Sequence, residues 1–86
     1  MTAEFSGNDR VSLKVQVVLS HPDFGELLVH TREISDTGLY VVMDTDPLPP
    51  VGTVIQGQVK GMAEEPPIVN LKIMTIESQG AELLFV

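Results

Sequence analysis

The chain has 86 residues, 43% of them hydrophobic, with a net charge of −7 and no cysteine. That suffices for one small domain with a single core, and it excludes disulfides and thiolate metal sites, so packing and backbone pairing must hold the fold. Only five Lys or Arg stand against twelve Asp or Glu, which excludes a protein that coats DNA or RNA, because neutralising phosphates needs a basic stripe.

Residues 1 to 9 hold Gly7, Asn8, Asp9 and Ser6 with Phe5 as the one large apolar group apart from Met1. They read as a flexible arm leading into a domain that begins at Arg10. This start lacks a basic region followed by an apolar one, and no segment approaches the roughly 20 consecutive apolar residues of a membrane span. A soluble, non-exported, cytoplasmic protein without membrane insertion is expected.

From residue 11 to 19 the odd positions are Val11, Leu13, Val15, Val17 and Leu19, while the even ones are mostly polar. That period of two predicts a half-buried strand with its odd positions inward. Pro22, Asp23 and Gly25 mark a turn, and residues 26 to 34 form a second strand paired with the first. After Gly38 a short strand runs over residues 39 to 43. The passage from Asp44 to Gly52 holds Pro47, Pro49 and Pro50, which cannot donate to a ladder and predict a crossing loop.

Residues 53 to 59 resume the extended pattern. Glu64, Glu65, Pro66 and Pro67 predict a solvated loop. A strand follows over residues 68 to 76, with Val69, Leu71, Ile73 and Thr75 on one face. Ser78, Gln79 and Gly80 make a tight turn into a last strand over residues 81 to 86, with Ala81, Leu83 and Phe85 on one side. Six strands without helical periodicity predict an all-β fold, and closure into a barrel is economical because an open sheet would leave a wet apolar face and two edges. Met43, Met62 and Met74 are expected to fill the barrel, with Met62 in a loop.

Between two apolar runs lies Arg32-Glu33-Ile34-Ser35-Asp36-Thr37-Gly38. Glu33 and Ser35, two apart in an extended segment, share one side of the backbone and can converge on a ligand edge. A carboxylate accepts from paired N–H donors such as those on the N1 and N2 edge of guanine, and a serine hydroxyl adds a donor or acceptor. Gly38 supplies a positive-φ bend or room for close approach. The same residues also fit a plain turn in which Ser35 and Asp36 make local backbone hydrogen bonds and Gly38 ends it. Arg10 and Lys14, four apart, would stand roughly 13 Å apart on an extended strand, a span suited to separate phosphates or to a phosphate and a guanine. They equally fit a solvated strand face.

These two segments resemble the PilZ domains, bacterial receptors for cyclic di-GMP built on a six-stranded antiparallel β-barrel. The resemblance covers nearly everything from Arg10 to Val86. The family's Arg-x-x-x-Arg segment is matched by Arg10-Val-Ser-Leu-Lys14, and its Asp/Asn-x-Ser-x-x-Gly segment by Glu33-Ile-Ser-Asp-Thr-Gly38. Lys14 replaces the second arginine and Glu33 the Asp or Asn. Leu39-Tyr40-Val41-Val42, the proline-rich passage into Gly52 and the closing Gly80-Ala-Glu-Leu-Leu-Phe85 are also similar to PilZ strands and turns.

The resemblance implies a PilZ-like barrel without a substantial C-terminal helix, no enzymatic activity, and cyclic di-GMP as ligand. It places Arg10 and Lys14 on guanine and phosphate groups, Glu33 and Ser35 at a guanine edge, and Gly38 in the shaping turn. Arg32 is a candidate additional contact that would compensate for Lys14, although alternation puts it on the opposite face unless the turn twists it round. Some PilZ domains bind no nucleotide and act through protein contacts, so a protein partner is implied under either reading. His21 and His30, with no paired spacing and no cysteine, make no metal site and are expected at the surface or in turns. No Ser, His and Asp set occurs in a recognisable catalytic context, and no cofactor is expected.

Overall fold

The computed structural model describes residues 11–61, 64 and 66–86; Met62 and Glu65 lie outside the described residues, as do residues 1–9 and Arg10. Seven strands follow in order: β1 Val11–Ser12, β2 Gln16–His21, β3 Gly25–Ile34, β4 Gly38–Val42, β5 Val54–Val59, β6 Val69–Glu77 and β7 Gly80–Phe85. No helix occurs among the described residues. The sheet runs β3-β2-β5-β6-β7-β4, and a further β3–β4 pairing closes it. Every pairing is antiparallel, so six strands form a closed barrel, as the sequence pattern predicts. Two-residue β1 extends the β2 side of β3, pairing Val11 with Ile34 and Ser12 with Glu33.

Alternation sorts the side chains. Val17 and Leu19 of β2, Val29 of β3, Leu39 and Val41 of β4, Ile55 of β5, Leu71 and Ile73 of β6, and Ala81 and Leu83 of β7 form one buried core. Closure is what lets strands this short bury a full face, since each inward row meets the others across the axis. One end, where β2 turns into β3 and β4 enters the long loop, is covered by Phe24, Met43 and Leu48 packed against that core. The predicted crossing loop therefore serves as a lid, with the turns at Thr45–Leu48 and Pro50–Thr53 closed by backbone hydrogen bonds.

Three irregularities break the ladder and correct the simple pattern. Between β1 and β2, residues 13–15 stand opposite only Thr31 and Arg32, so this strand carries one extra residue. Leu13, expected inward, is consequently 47% exposed. On the other edge of β3 the register slips at Arg32, between Thr31↔Val41 and Glu33↔Tyr40. In β6 it slips again at Met74, which is 41% exposed rather than barrel filling, and Thr75 leaves the inward row. Each is a β-bulge, in which one added residue changes the phase of everything beyond it.

Candidate functional site

The two motifs of the sequence meet at one place on the barrel. Pairing of β1 with the end of β3 sets Ser12 against Glu33 and Val11 against Ile34, immediately before the turn over residues 35–37. Lys14 follows in the 13–15 irregularity, exposed, and lines an open depression with Leu13, His30 and Arg32. Arg10, the first residue of the motif, lies outside the described residues.

Thr31 builds the junction. It is the one buried polar residue of the described core, 1% exposed. Its hydroxyl accepts from Val15 N at 3.1 Å and donates to the Leu13 carbonyl. Its own N donates to the Val15 carbonyl at 2.9 Å, while Leu13 N donates to the Arg32 carbonyl at 3.2 Å. An irregular strand leaves backbone groups without ladder partners, and the threonine supplies them from its side chain. Lys14 is thereby held out from the barrel wall.

The bulge at Arg32 does what the sequence left conditional. It brings Arg32 and Glu33 together, with Arg32 Nε 3.6 Å from Glu33 Oε2 and the guanidinium carbon 3.9 Å from the centroid of the Tyr40 ring. Tyr40 is only 6% exposed, yet it alternates with the inward Leu39 and Val41 and stands outside the core cluster. Its burial comes from the outer side. Gly80 lies against it, so that a Cβ there would sit 2.7 Å from the ring and 2.2 Å from the Val41 carbonyl oxygen.

The Tyr40 hydroxyl donates to Glu77 Oε1 at 2.7 Å. That hydrogen bond, then burial, then the Glu77 charge push its pKa above the ordinary tyrosine value, while the Arg32 charge opposes them. A stacked guanidinium on a buried ring fixes the direction of the Arg32 side chain. The sequence reading missed Thr31 and Tyr40. The available signs were a polar residue in the inward row after Val29 and an aromatic in the outward row between two core residues.

Ser35 and Gly38 come together in the turn itself. Ser35 N donates to the Gly38 carbonyl at 2.8 Å. The Ser35 hydroxyl accepts from Thr37 N at 3.2 Å and Gly38 N at 3.3 Å and lies 3.0 Å from Thr37 Oγ1. This is the local turn chemistry that the sequence allowed. Gly38 follows the close-approach alternative and not the positive-φ one: a Cβ would fall 2.1 Å from the Leu83 carbonyl oxygen of β7. β3 ends at Ile34, so Ser35 is the first residue of the turn and no longer part of the extended segment that holds Glu33.

The site is thus an outer-face arrangement of Lys14, His30, Arg32, Glu33 and Tyr40 beside a self-bonded turn. No group of three or more His, Asp or Glu placed to hold a metal ion occurs among the described residues. No model of a known protein family matches the sequence. No curated protein matches it either.

Proposed function

We propose that this chain is a non-enzymatic, cytoplasmic, PilZ-like receptor for cyclic di-GMP that relays the second messenger to a protein partner. The observation that carries this reading is the β1–β3 pairing, which sets Val11 and Ser12, between Arg10 and Lys14 in the chain, against Ile34 and Glu33, directly before the Ser35 to Gly38 turn. Two segments 19 residues apart in the chain thereby border one surface, as a two-part ligand site requires. Arg10 and Lys14 serve the phosphates and a guanine, Glu33 accepts from the guanine edge, and Gly38 keeps the turn close to the barrel. Arg32, on the outer face where the bulge also brings Glu33, adds a planar donor fork near Lys14. Ligand binding creates a surface for the partner. Titration calorimetry with cyclic di-GMP at moderate salt tests this: saturable heat supports it, and no heat or NMR shift at high micromolar ligand rejects it.

One observation favours a second reading, a barrel that acts as a protein-interaction adaptor without nucleotide. The Ser35 hydroxyl is already engaged with Thr37 and Gly38, which is what a purely structural turn needs. Under this reading Arg10→Ala and Ser35→Ala leave cellular activity intact, and loss of activity in both variants rejects it.

A further inference from the structure

Three open depressions on the outer face of β2, β3 and β4 share one side chain, His30. The first, about 440 Å³, adds Lys14, Gln16 and Leu28. The second, about 300 Å³, adds Lys14, Arg32 and Leu13. No carboxylate lines either one, although the chain carries twelve Asp and Glu. The third differs, because Asp44 lines it and would repel an anion. Net charge −7 disfavours anions over the molecule as a whole, so two neighbouring depressions with only cationic and neutral donors are where one would be held.

His30 is half-buried in the row Gln16↔His30↔Val42, and neither its side chain nor that of Lys14 makes a hydrogen bond or ion pair among the described residues. Arg32 is different, since Glu33 and the Tyr40 ring already occupy it. The side-chain donors of the two depressions without a partner among the described residues are therefore the Lys14 ammonium, the His30 imidazole, the Gln16 amide and the Ser12 hydroxyl, and the apolar side chains of Val15, Leu28 and Val42 share the lining. A ring nitrogen carrying hydrogen donates to a phosphate oxygen, and the ammonium adds charge. We propose that His30 is a ligand-contacting residue which, with Lys14, holds a phosphate of the bound nucleotide while the apolar side chains take the flat side of its base or sugar. This inference rests on the nucleotide reading above and adds a residue that neither motif contains.

The test uses the full chain, whose two histidines can be told apart by NMR with a His21→Gln variant. Cyclic di-GMP and, separately, guanosine monophosphate are titrated while imidazole signals are followed. Saturable shifts at His30 and none at His21 are expected, with His30→Ala weakening cyclic di-GMP binding about ten- to a hundredfold, the worth of one hydrogen bond to a charged group. His30→Gln, which keeps an N–H donor, should recover part of that loss, and thermal unfolding of both variants should stay close to wild type because the His30 side chain has no hydrogen bond or ion pair among the described residues. If cyclic di-GMP gives no heat but the monophosphate still shifts His30, the receptor reading fails and the His30 contact stands. If cyclic di-GMP binds equally well to His30→Ala, or if neither ligand shifts His30, the contact is overturned.

Discussion

Replacing Thr31 by valine keeps the volume and branching of a residue that is 1% exposed and deletes only its hydroxyl. The substitution opens no cavity, so the change in stability reports the two hydrogen bonds directly. Val15 N loses its acceptor at 3.1 Å and the Leu13 carbonyl loses its donor. A buried group left unsatisfied costs about 1 to 3 kcal/mol. Leu13 and Lys14 are exposed, so water reaches the carbonyl, and most of the loss falls on Val15 N. A destabilisation of about 2 kcal/mol follows, which for a domain of this size lowers Tm by roughly 8 to 16 °C. Thr31→Ser keeps the hydroxyl and removes a methyl, at a cost of about 1 kcal/mol. Urea unfolding of the three proteins measures both, and amide exchange at Val15 locates the effect. A valine variant as stable as wild type, or more stable than the serine variant, would refute the hydroxyl as the support of the irregular strand.

Gly38→Ala forces a Cβ into a space 2.1 Å from the Leu83 carbonyl oxygen, and the seam between β4 and β7 must part; a loss of about 3 kcal/mol in urea unfolding is expected, and a loss under 1 kcal/mol would show that the turn relaxes freely. Tyr40 is the sole tyrosine, so its ionisation can be followed by ultraviolet absorbance without interference. The midpoint should lie above 10.0, the ordinary value, because Glu77 and burial favour the neutral phenol, and Glu77→Gln should bring it down. Below that ordinary value both folded and unfolded chains keep the proton and stability does not depend on this group. Above it the unfolded chain releases the proton first, so stability falls as pH rises until the folded state also titrates. A wild-type midpoint at or below 10.0 would contradict the Tyr40–Glu77 hydrogen bond.

The barrel was legible because most strands obey a strict period of two. Leu39 and Val41, or Ala81 and Leu83, point inward as their spacing says, and from the second predicted strand onward the ends fall within a residue of those observed, whereas the first, expected over residues 11 to 19, is split into Val11–Ser12 and Gln16–His21. What alternation cannot register is an added residue, because a bulge is a relation between two strands and leaves no mark in either alone. Leu13 is in phase with Val15 and Val17 by sequence and out of phase in space. Met74 is apolar, yet it sits where the β6–β7 ladder slips. The motif residues were legible for the same reason that their roles were not. Gly38 stands out as a glycine before a strand, but the atom that requires it belongs to Leu83, distant in the chain.

The bulge at Arg32 decides which side of the wall the candidate site occupies. Through the first part of β3 the inward positions are odd, Val29 and Thr31. Continued without interruption, that phase would send Glu33 toward the core and Ile34 toward solvent, an expensive exchange of a carboxylate for an isoleucine. The extra residue reverses it: Ile34 pairs with inward Leu39 and packs on the core, while Glu33 pairs with outward Tyr40. Arg32 and Glu33 then lie outside together, with Lys14, between β1 and β2, in the same depression as Arg32. A regular barrel built from the same strands would satisfy the core pattern less well and would bring these charged groups to no common surface. The same irregularity therefore serves both packing and the site, and the apolar demand of Ile34 is what secures the outward placement of Glu33.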